Sequence, residues 1–300
     1  MIELKNIEKK YQTDFWTKPF KALDDLSFSI EQGALVGFLG ANGAGKTTSI
    51  KVILKFIKQN KGDVFYGPEL SSGAESIFSR IGYIPERPYF YPHLTGKEFI
   101  EYMGKLSDVP THLISARMRD WSDRFGISFA LDRKVRSYSK GMLQRLGFVA
   151  SLIHDPLLLI LDEPLSGLDP IGRRELKQAL IELHREGKTV FFSSHIVSDV
   201  EEICNKVVFL EKGRLVYDGS IDQLIEKNIK SSYAITFHDN NRQILRERLS
   251  HRTLEGICSL EVVADEKDSL IKEIINTQGN ILSINSKRPS LEEIIYKIRS

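Results

Sequence analysis

Residues 34–58 read ALVGFLGANGAGKTTSIKVILKFIK: an apolar run, a glycine-rich turn and an amphipathic pattern at helical spacing. Gly40, Gly43 and Gly45 free the backbone to curl until consecutive N–H groups point at one anion. A helix beginning near Lys46 turns the positive end of its dipole on the same place. The pattern G-x-x-x-x-G-K-[ST] runs from Gly40 to Thr47. With Asn42, Ala44 and Thr48 it makes a loop that cradles phosphates, sends the Lys46 ammonium to the β- and γ-phosphates of a nucleotide and offers the Thr47 hydroxyl to Mg²⁺. A plain glycine-rich turn does not require a strand before it and a helix after it, and both flank this one.

Downstream, residues 157–161 are the wholly apolar pentad LLLIL, the composition of a central parallel strand buried on both faces. It delivers Asp162 and Glu163 at its carboxyl end, where ligands of open α/β sheets bind. In that layout an aspartate completes an Mg²⁺ shell and a glutamate polarises an attacking water. Taken alone, such a pair also fits two solvated acids at a strand end. A strand over 189–194 ends at His195, and a strand over 77–84 stops at Pro85 and puts Glu86 at the same edge.

Before the loop, residues 2–4 and 22–30 are strand candidates, and the alternation in LSFSI suits an antiparallel sheet with one buried face. Tyr11, and Phe15 with Trp16 in the polar loop that follows, offer flat rings that stack on a nucleobase or cover the sheet edge. Residues 62–66 read as a strand and SSGAE at 71–75 as a loop. Over 95–125 the spacing of Phe99, Tyr102, Met103 and Leu106 predicts helix, within a helical insertion spanning about 90–155. Ser139 stands there as the N-cap of a helix that Asp155–Pro156 stops, and its free N-terminus is a second anion site. Helices over 171–186 and 197–204 and a hairpin over 207–219, turning at Lys212–Gly213, complete this part.

From about Ser220 the composition changes. YAITF, SLEVV and NILSI are strand-like, and RQILRERL, KDSLIKEIINT and SLEEIIYKI are helix-like. The expected division is an α/β domain over 1–219 and a small α+β domain over 220–300, an interaction or regulatory module with no glycine-rich turn of its own. Three hundred residues suit one larger domain with an appendage. With 42 basic and 40 acidic side chains the formal charge of +2 does not point to a polyanion partner. Cys204 and Cys258 stand far apart, which fits a reducing compartment and excludes a cysteine metal site. No apolar window reaches the roughly 18 residues of a membrane span, so any membrane role is expected to come through a partner.

With its motifs in this order, the chain resembles the ATP-binding subunit of an ABC transporter over residues 1 to about 220. The matching parts are GANGAGKT, the Walker A loop; LLLILDE, Walker B; YSKGM, in place of the LSGGQ signature; SGLD, the D-loop; and His195, the switch histidine. The resemblance implies a P-loop NTPase cassette, with a parallel core sheet, an N-terminal antiparallel β subdomain and a helical insertion. It implies an ATPase using ATP and Mg²⁺. Lys46, Glu163 and His195 are then catalytic, Tyr11 is the ring on adenine, and the loop from Gly40 to Thr48 holds the phosphates. Thr47 and Asp162 serve the metal, and Glu86, where most members have glutamine, either joins them as a stronger ligand or stays back until the domains close. Ser139, Gly141 and Asp169 face the ATP of a second cassette, so that a homodimer, or a heterodimer with a similar ATPase, encloses two nucleotides.

Tyr138, Lys140 and Met142 depart from the signature consensus. IPE paired with SKGM, the loop containing Phe15 and Trp16, and the appended C-terminal unit resemble the branch that works with a separate ABC-2-type permease, often in export. That implies a protein peripheral on the cytoplasmic face of the membrane. The competing class is a soluble ABC ATPase acting on nucleic acid or ribosomes. Its branches carry paired cassettes, zinc modules or long coiled coils, none of which is visible here, so no nucleic-acid partner is expected. A P-loop protein that binds without turnover is disfavoured by the joint presence of Lys46, Thr47, Asp162, Glu163 and His195.

Overall fold

The candidate site is carried by the carboxyl edge of a six-stranded sheet in a computed structural model described over residues 1–12, 16, 19–71, 76–228, 232–238, 251–252, 257–287 and 289–299. The chain falls into two units, Met1–Ile221 and Asp222–Ser300. In the first, strands β1 (Ile2–Tyr11), β2 (Phe20–Ile30) and β3 (Leu35–Leu39) lead into helix α1 (Lys46–Ile53). Strand β4 (Lys61–Tyr66), the short helix α2 (Pro68–Ser71) and strand β5 (Ile81–Ile84) follow. Helices α3 (Gly96–Leu106), α4 (Thr111–Arg124) and α5 (Lys140–Leu152) form the insertion. The chain returns through β6 (Leu158–Leu161), α6 (Pro170–Arg185), β7 (Thr189–Ser194), α7 (Val197–Ile203), β8 (Lys206–Glu211) and β9 (Arg214–Ser220).

The main sheet runs β5-β6-β7-β3-β8-β9, parallel except for the last pair. Every residue of β3, β6 and β7 is buried, as a sheet covered on both faces requires. Register aligns Ile84 with Leu161, Leu161 with Phe192, and Leu39 with Ser194. The residues after these ends therefore emerge side by side, which is how segments distant in sequence meet. A three-stranded antiparallel sheet, β2-β1-β4, packs its apolar face toward the main sheet. The rings of Phe28, Phe38 and Phe191 join the two, with centroids 5.1–5.9 Å apart.

Local signals account for the ends of the insertion helices. Thr95 and Glu98 form a capping box at α3, and Ser139 caps α5. The helical stretch expected over 95–125 is two helices, because Asp108 takes a left-handed φ of 55° and Pro110 precedes α4. The strand expected over 77–84 is corrected likewise. Ile77–Arg80 is a 3-10 turn capped by the Ser76 hydroxyl, and only Ile81–Ile84 pairs with β6. The strand expected at 2–4 extends to Tyr11. The hairpin turns at Lys212 and Gly213, with φ of 47° and 80°, the two positive values of a tight two-residue turn.

In the second unit, helix α8 (Ile221–Asn228) has all but its first residue. Strands β10 (Ser232–His238), β11 (His251–Arg252) and β12 (Ile257–Val263), helix α9 (Ala264–Asn276), strand β13 (Asn280–Lys287) and helix α10 (Leu291–Arg299) follow. The sheet order is β11-β12-β10-β13. Ile235, Phe237, Leu260, Leu270 and Ile274 form its core. The helix expected for RQILRERL, the SSGAE loop beyond Ser71, and Phe15 lie outside the described residues.

Gly82 in β5 lies where a Cβ would stand 2.5 Å from the Ser151 carbonyl oxygen and 2.7 Å from Leu159 Cδ2. Gly82→Ala is expected to destabilise the chain by about 1–3 kcal/mol through overpacking. Urea denaturation followed by circular dichroism checks this.

Candidate functional site

The loop between β3 and α1 begins with Gly40, whose N–H donates to the Ser194 carbonyl at 3.3 Å, so the loop is tied to β7 at its root. Gly45 has φ of 106°, and a Cβ there would stand 2.7 Å from the Ala22 carbonyl oxygen, so a side chain is barred by both conformation and space. The Ala44 carbonyl accepts the Gly213 N–H at 2.9 Å, and the Gly213 carbonyl accepts the Asp24 N–H at 2.8 Å. The β8–β9 turn thus joins the loop to β2. In α1 the Ser49 N–H is bonded to the Gly45 carbonyl at 2.9 Å; the N–H groups before it belong to the opening turn, which no helix satisfies internally.

This loop walls a cavity of about 420 Å³. Of the residues expected there, Tyr11, Asn42, Gly43, Gly45, Lys46, Thr47, Thr48, Glu86, Glu163 and His195 line it. Lys46, only 6% exposed, donates to the Gly40 carbonyl at 2.7 Å and lies 3.2 Å from Glu163 Oε1. Glu163 Oε1 is buried and has no hydrogen-bond partner among the described residues; its approach to Lys46 is an ion pair. The other oxygen, Oε2, stands 2.9 Å from His195 Nδ1. A carboxylate only accepts, so Nδ1 carries the proton in that bond.

Asp162, 1% exposed, does not line the cavity itself and reaches it through Thr47. The Ser193 hydroxyl donates to its Oδ1 at 2.6 Å, and the Thr47 hydroxyl bonds it too. Burial holds its pKa above the ordinary carboxylate value; the two hydroxyl bonds oppose this, and the neighbouring charges of Glu163 and Glu86 add to it. Ser193 also accepts the Glu163 N–H at 2.8 Å, and Glu163 sits in the left-handed region with φ of 50°.

Three expected residues lie elsewhere. Ser139 accepts the Met142 N–H at 3.3 Å as the cap of α5, and Asp169 accepts the Gly172 N–H at 3.2 Å as the cap of α6. With Gly141 they are absent from the cavity lining. The two caps are neighbours, because Lys140 lies over Gly167 and Gly141 faces Leu168. Gly40 and Ala44 belong to the loop but do not line the cavity, and Trp16 is 96% exposed outside it. Reading the sequence missed Phe20, Ser166 and Ser193. Phe20 is the cross-strand partner of Tyr11. Ser193 carried no signal of its own, being one of two consecutive serines that end β7.

The ABC transporter family model matches residues 23–166. An uncharacterized ABC transporter ATP-binding protein of Nostoc sp. (strain PCC 7120 / SAG 25.82 / UTEX 2576) is 38% identical over 98% of this chain and 88% of its own length. The chain belongs to the ABC transporter ATP-binding proteins. The bacitracin transport ATP-binding protein BcrA of Bacillus licheniformis is 33% identical, with 93% of this chain and 92% of that protein covered. Among solved structures, a dimeric post-hydrolysis state of the ATP-binding cassette MJ0796 bound to ADP and Pi aligns with a TM-score of 0.66 at 21% identity, over 74% of this chain and 99% of that one, and supports the fold.

As a cassette of this family the chain is an ATPase that uses ATP and Mg²⁺. Its residues fit both. The cavity has an opening helix turn of N–H groups, a buried ammonium and a carboxylate oxygen with no hydrogen bond among the described residues, and the Thr47 hydroxyl that lines it bonds the buried Asp162 carboxylate. No helix among the described residues is long and apolar enough to cross a membrane.

Because the folded-state pKa of Asp162 is raised, its ionisation opposes folding. Stability is fully present below the unfolded value of about 4 and is lost as pH rises through the folded value. Asp162→Asn is therefore expected to make the nucleotide-free protein more resistant to urea at neutral pH, with the advantage shrinking toward pH 4. Denaturation curves at a series of pH values check the sign.

Proposed function

We propose that this cassette hydrolyses ATP to drive export through a separate ABC-2-type membrane permease, working as a pair of cassettes at the cytoplasmic face of the membrane. The observation that carries the hydrolytic part is the chain of contacts from Lys46 through Glu163 to His195 at one end of the cavity, beside the bonded pair Thr47 and Asp162. The opening turn of α1 and Lys46 hold the β- and γ-phosphates of the substrate. Thr47 and Asp162, a hydroxyl and a carboxylate already bonded to each other, would hold Mg²⁺. When bound, the ion supplies Lewis-acid neutralisation of phosphate charge. Glu163 accepts the proton of the water that attacks the γ-phosphorus as the bond to the bridging oxygen breaks, releasing ADP and phosphate. His195 orients Glu163 through Oε2, and Tyr11 carries the adenine, with Phe20 beside it.

Pairing is supported by Ser139, Gly141 and Asp169, which stand outside the cavity of their own chain with Ser139 and Asp169 exposed, where a second cassette can reach them. Transport is supported by the similarity to BcrA, whose name assigns it to bacitracin transport; the export direction rests on the resemblance to the branch with separate ABC-2-type permeases. The described residues that line the cavity all belong to Met1–Ile221, and residues 222–300 serve as an interaction or regulatory module.

Glu163→Gln is expected to bind Mg·ATP as the wild type does while turnover falls by about 10²–10⁴-fold, since the water loses its acceptor. With ATP present it should elute from size exclusion as a dimer. Turnover at the wild-type rate overturns the catalytic assignment, and a monomer under these conditions overturns pairing.

Glu86 is exposed at the cavity wall, and its charge is felt at Asp162. We assign it to the metal side of the site. Glu86→Gln should shift the Mg²⁺ concentration needed for half-maximal turnover by more than it shifts nucleotide affinity. Superimposable Mg²⁺ titrations of the two proteins return Glu86 to the role of a surface acid.

A further inference from the structure

We propose that Ser193 is a positioning residue for ATP hydrolysis: its hydroxyl sets where the Asp162 carboxylate and the Glu163 backbone stand. The inference rests on the roles proposed above for those two acids. Ser193 lies in β7, has no exposed surface and stands two residues before His195. Its oxygen makes two bonds of opposite sense. The Glu163 N–H can only donate, so Ser193 Oγ accepts it at 2.8 Å. The hydroxyl proton is then free for Asp162 Oδ1 at 2.6 Å, which as a carboxylate oxygen can only accept. One side chain thus contacts two consecutive acids from the neighbouring strand, one through its side chain and one through its backbone.

The second bond is the more telling. Glu163 is a non-glycine residue at φ 50°, a conformation that persists only when its surroundings impose it. That conformation, on a backbone whose N–H is pinned to Ser193, leaves the Glu163 carboxylate 3.2 Å from Lys46 and 2.9 Å from His195. Asp162 is held between hydroxyls from two elements, Thr47 of α1 and Ser193 of β7. Thr47 is proposed to serve the metal as well, so Ser193 is the donor to Asp162 that does not. Asp162, Glu163 and His195 are accordingly all referenced to one strand, and an error in the placement of β7 would move them together.

The test uses the full chain with Ser193→Ala, Ser193→Thr and, in parallel, Glu163→Gln. Steady-state kinetics with Mg·ATP are combined with hydrogen exchange of the Glu163 amide in nucleotide-free protein. Ser193→Ala is expected to lower kcat by about 10–100-fold, the range typical of losing a partner that orients a metal ligand, with KM changed by less than about twofold. The Glu163 amide should exchange faster, and Ser193→Thr, which keeps the hydroxyl, should restore both readouts. The proposal is overturned by wild-type kcat in Ser193→Ala, by a lowered kcat with the Glu163 amide as protected as in the wild type, or by Ser193→Thr being no better than Ser193→Ala. If Glu163→Gln keeps turnover, the reading of the site itself fails. If Glu163→Gln loses turnover while Ser193→Ala keeps it, only the role of Ser193 falls.

Discussion

A lysine ammonium that is almost wholly buried has to be answered by oxygens, and at Lys46 the answer comes from the Gly40 carbonyl and the Glu163 carboxylate. Those two partners begin different loops, one after β3 and one after β6. The cation therefore demands that the carboxyl ends of two non-adjacent strands be brought level, with β7 between them. Register supplies that level edge. The pair also couples the group proposed to bind phosphate to the group proposed to activate water. An ammonium carries three protons, so an arriving phosphate meets a lysine whose charge is already shared with a carboxylate.

Two of the three departures from the signature consensus have separate physical accounts. Tyr138 is buried, donates its hydroxyl to the Ala130 carbonyl at 2.7 Å and packs against Gly96 at the start of α3. It belongs to the core of the helical insertion. Lys140 is exposed and drapes its chain over Gly167, joining the start of α5 to the loop before α6. An aromatic anchor on one side of Ser139 and an aliphatic stem on the other hold the cap in place, which explains how this motif tolerates two large side chains where the consensus has smaller ones.

Much of the parallel sheet was legible because its strands are short, largely apolar and followed by polar residues with few structural reasons to be there. Asp162, Glu163 and His195 were visible for that reason, and the loop was visible because glycine spacing and Lys46 specify a mechanism together. Burial by distant segments was not legible. Ser193 looks in sequence like any serine in FFSSH, and only the adjacency of β6 and β7 shows that it touches both acids. Phe20 was hidden because its proximity to Tyr11 is set by antiparallel pairing across a loop. The 3-10 turn at Ile77–Arg80 escaped because Ile77 and Phe78 resemble strand residues, while the Ser76 hydroxyl diverts the backbone locally. Ser139 and Asp169 were legible as helix caps by chemistry alone, but their mutual approach through Lys140 and Gly167 was not.

The turn at Lys212 and Gly213 lies at the far end of the sheet from β5 and carries no polar side chain into the cavity, yet its backbone bonds to Ala44 on one side and Asp24 on the other. The phosphate loop is therefore not a portable module. Transplanting residues 40–48 into another sheet would carry the donors without the brace that keeps them aimed, and the loop would lose part of its pre-set shape to thermal wandering before any nucleotide arrived. Modularity in this fold resides in the loop and the hairpin taken together, two segments that the chain separates by most of the cassette's length.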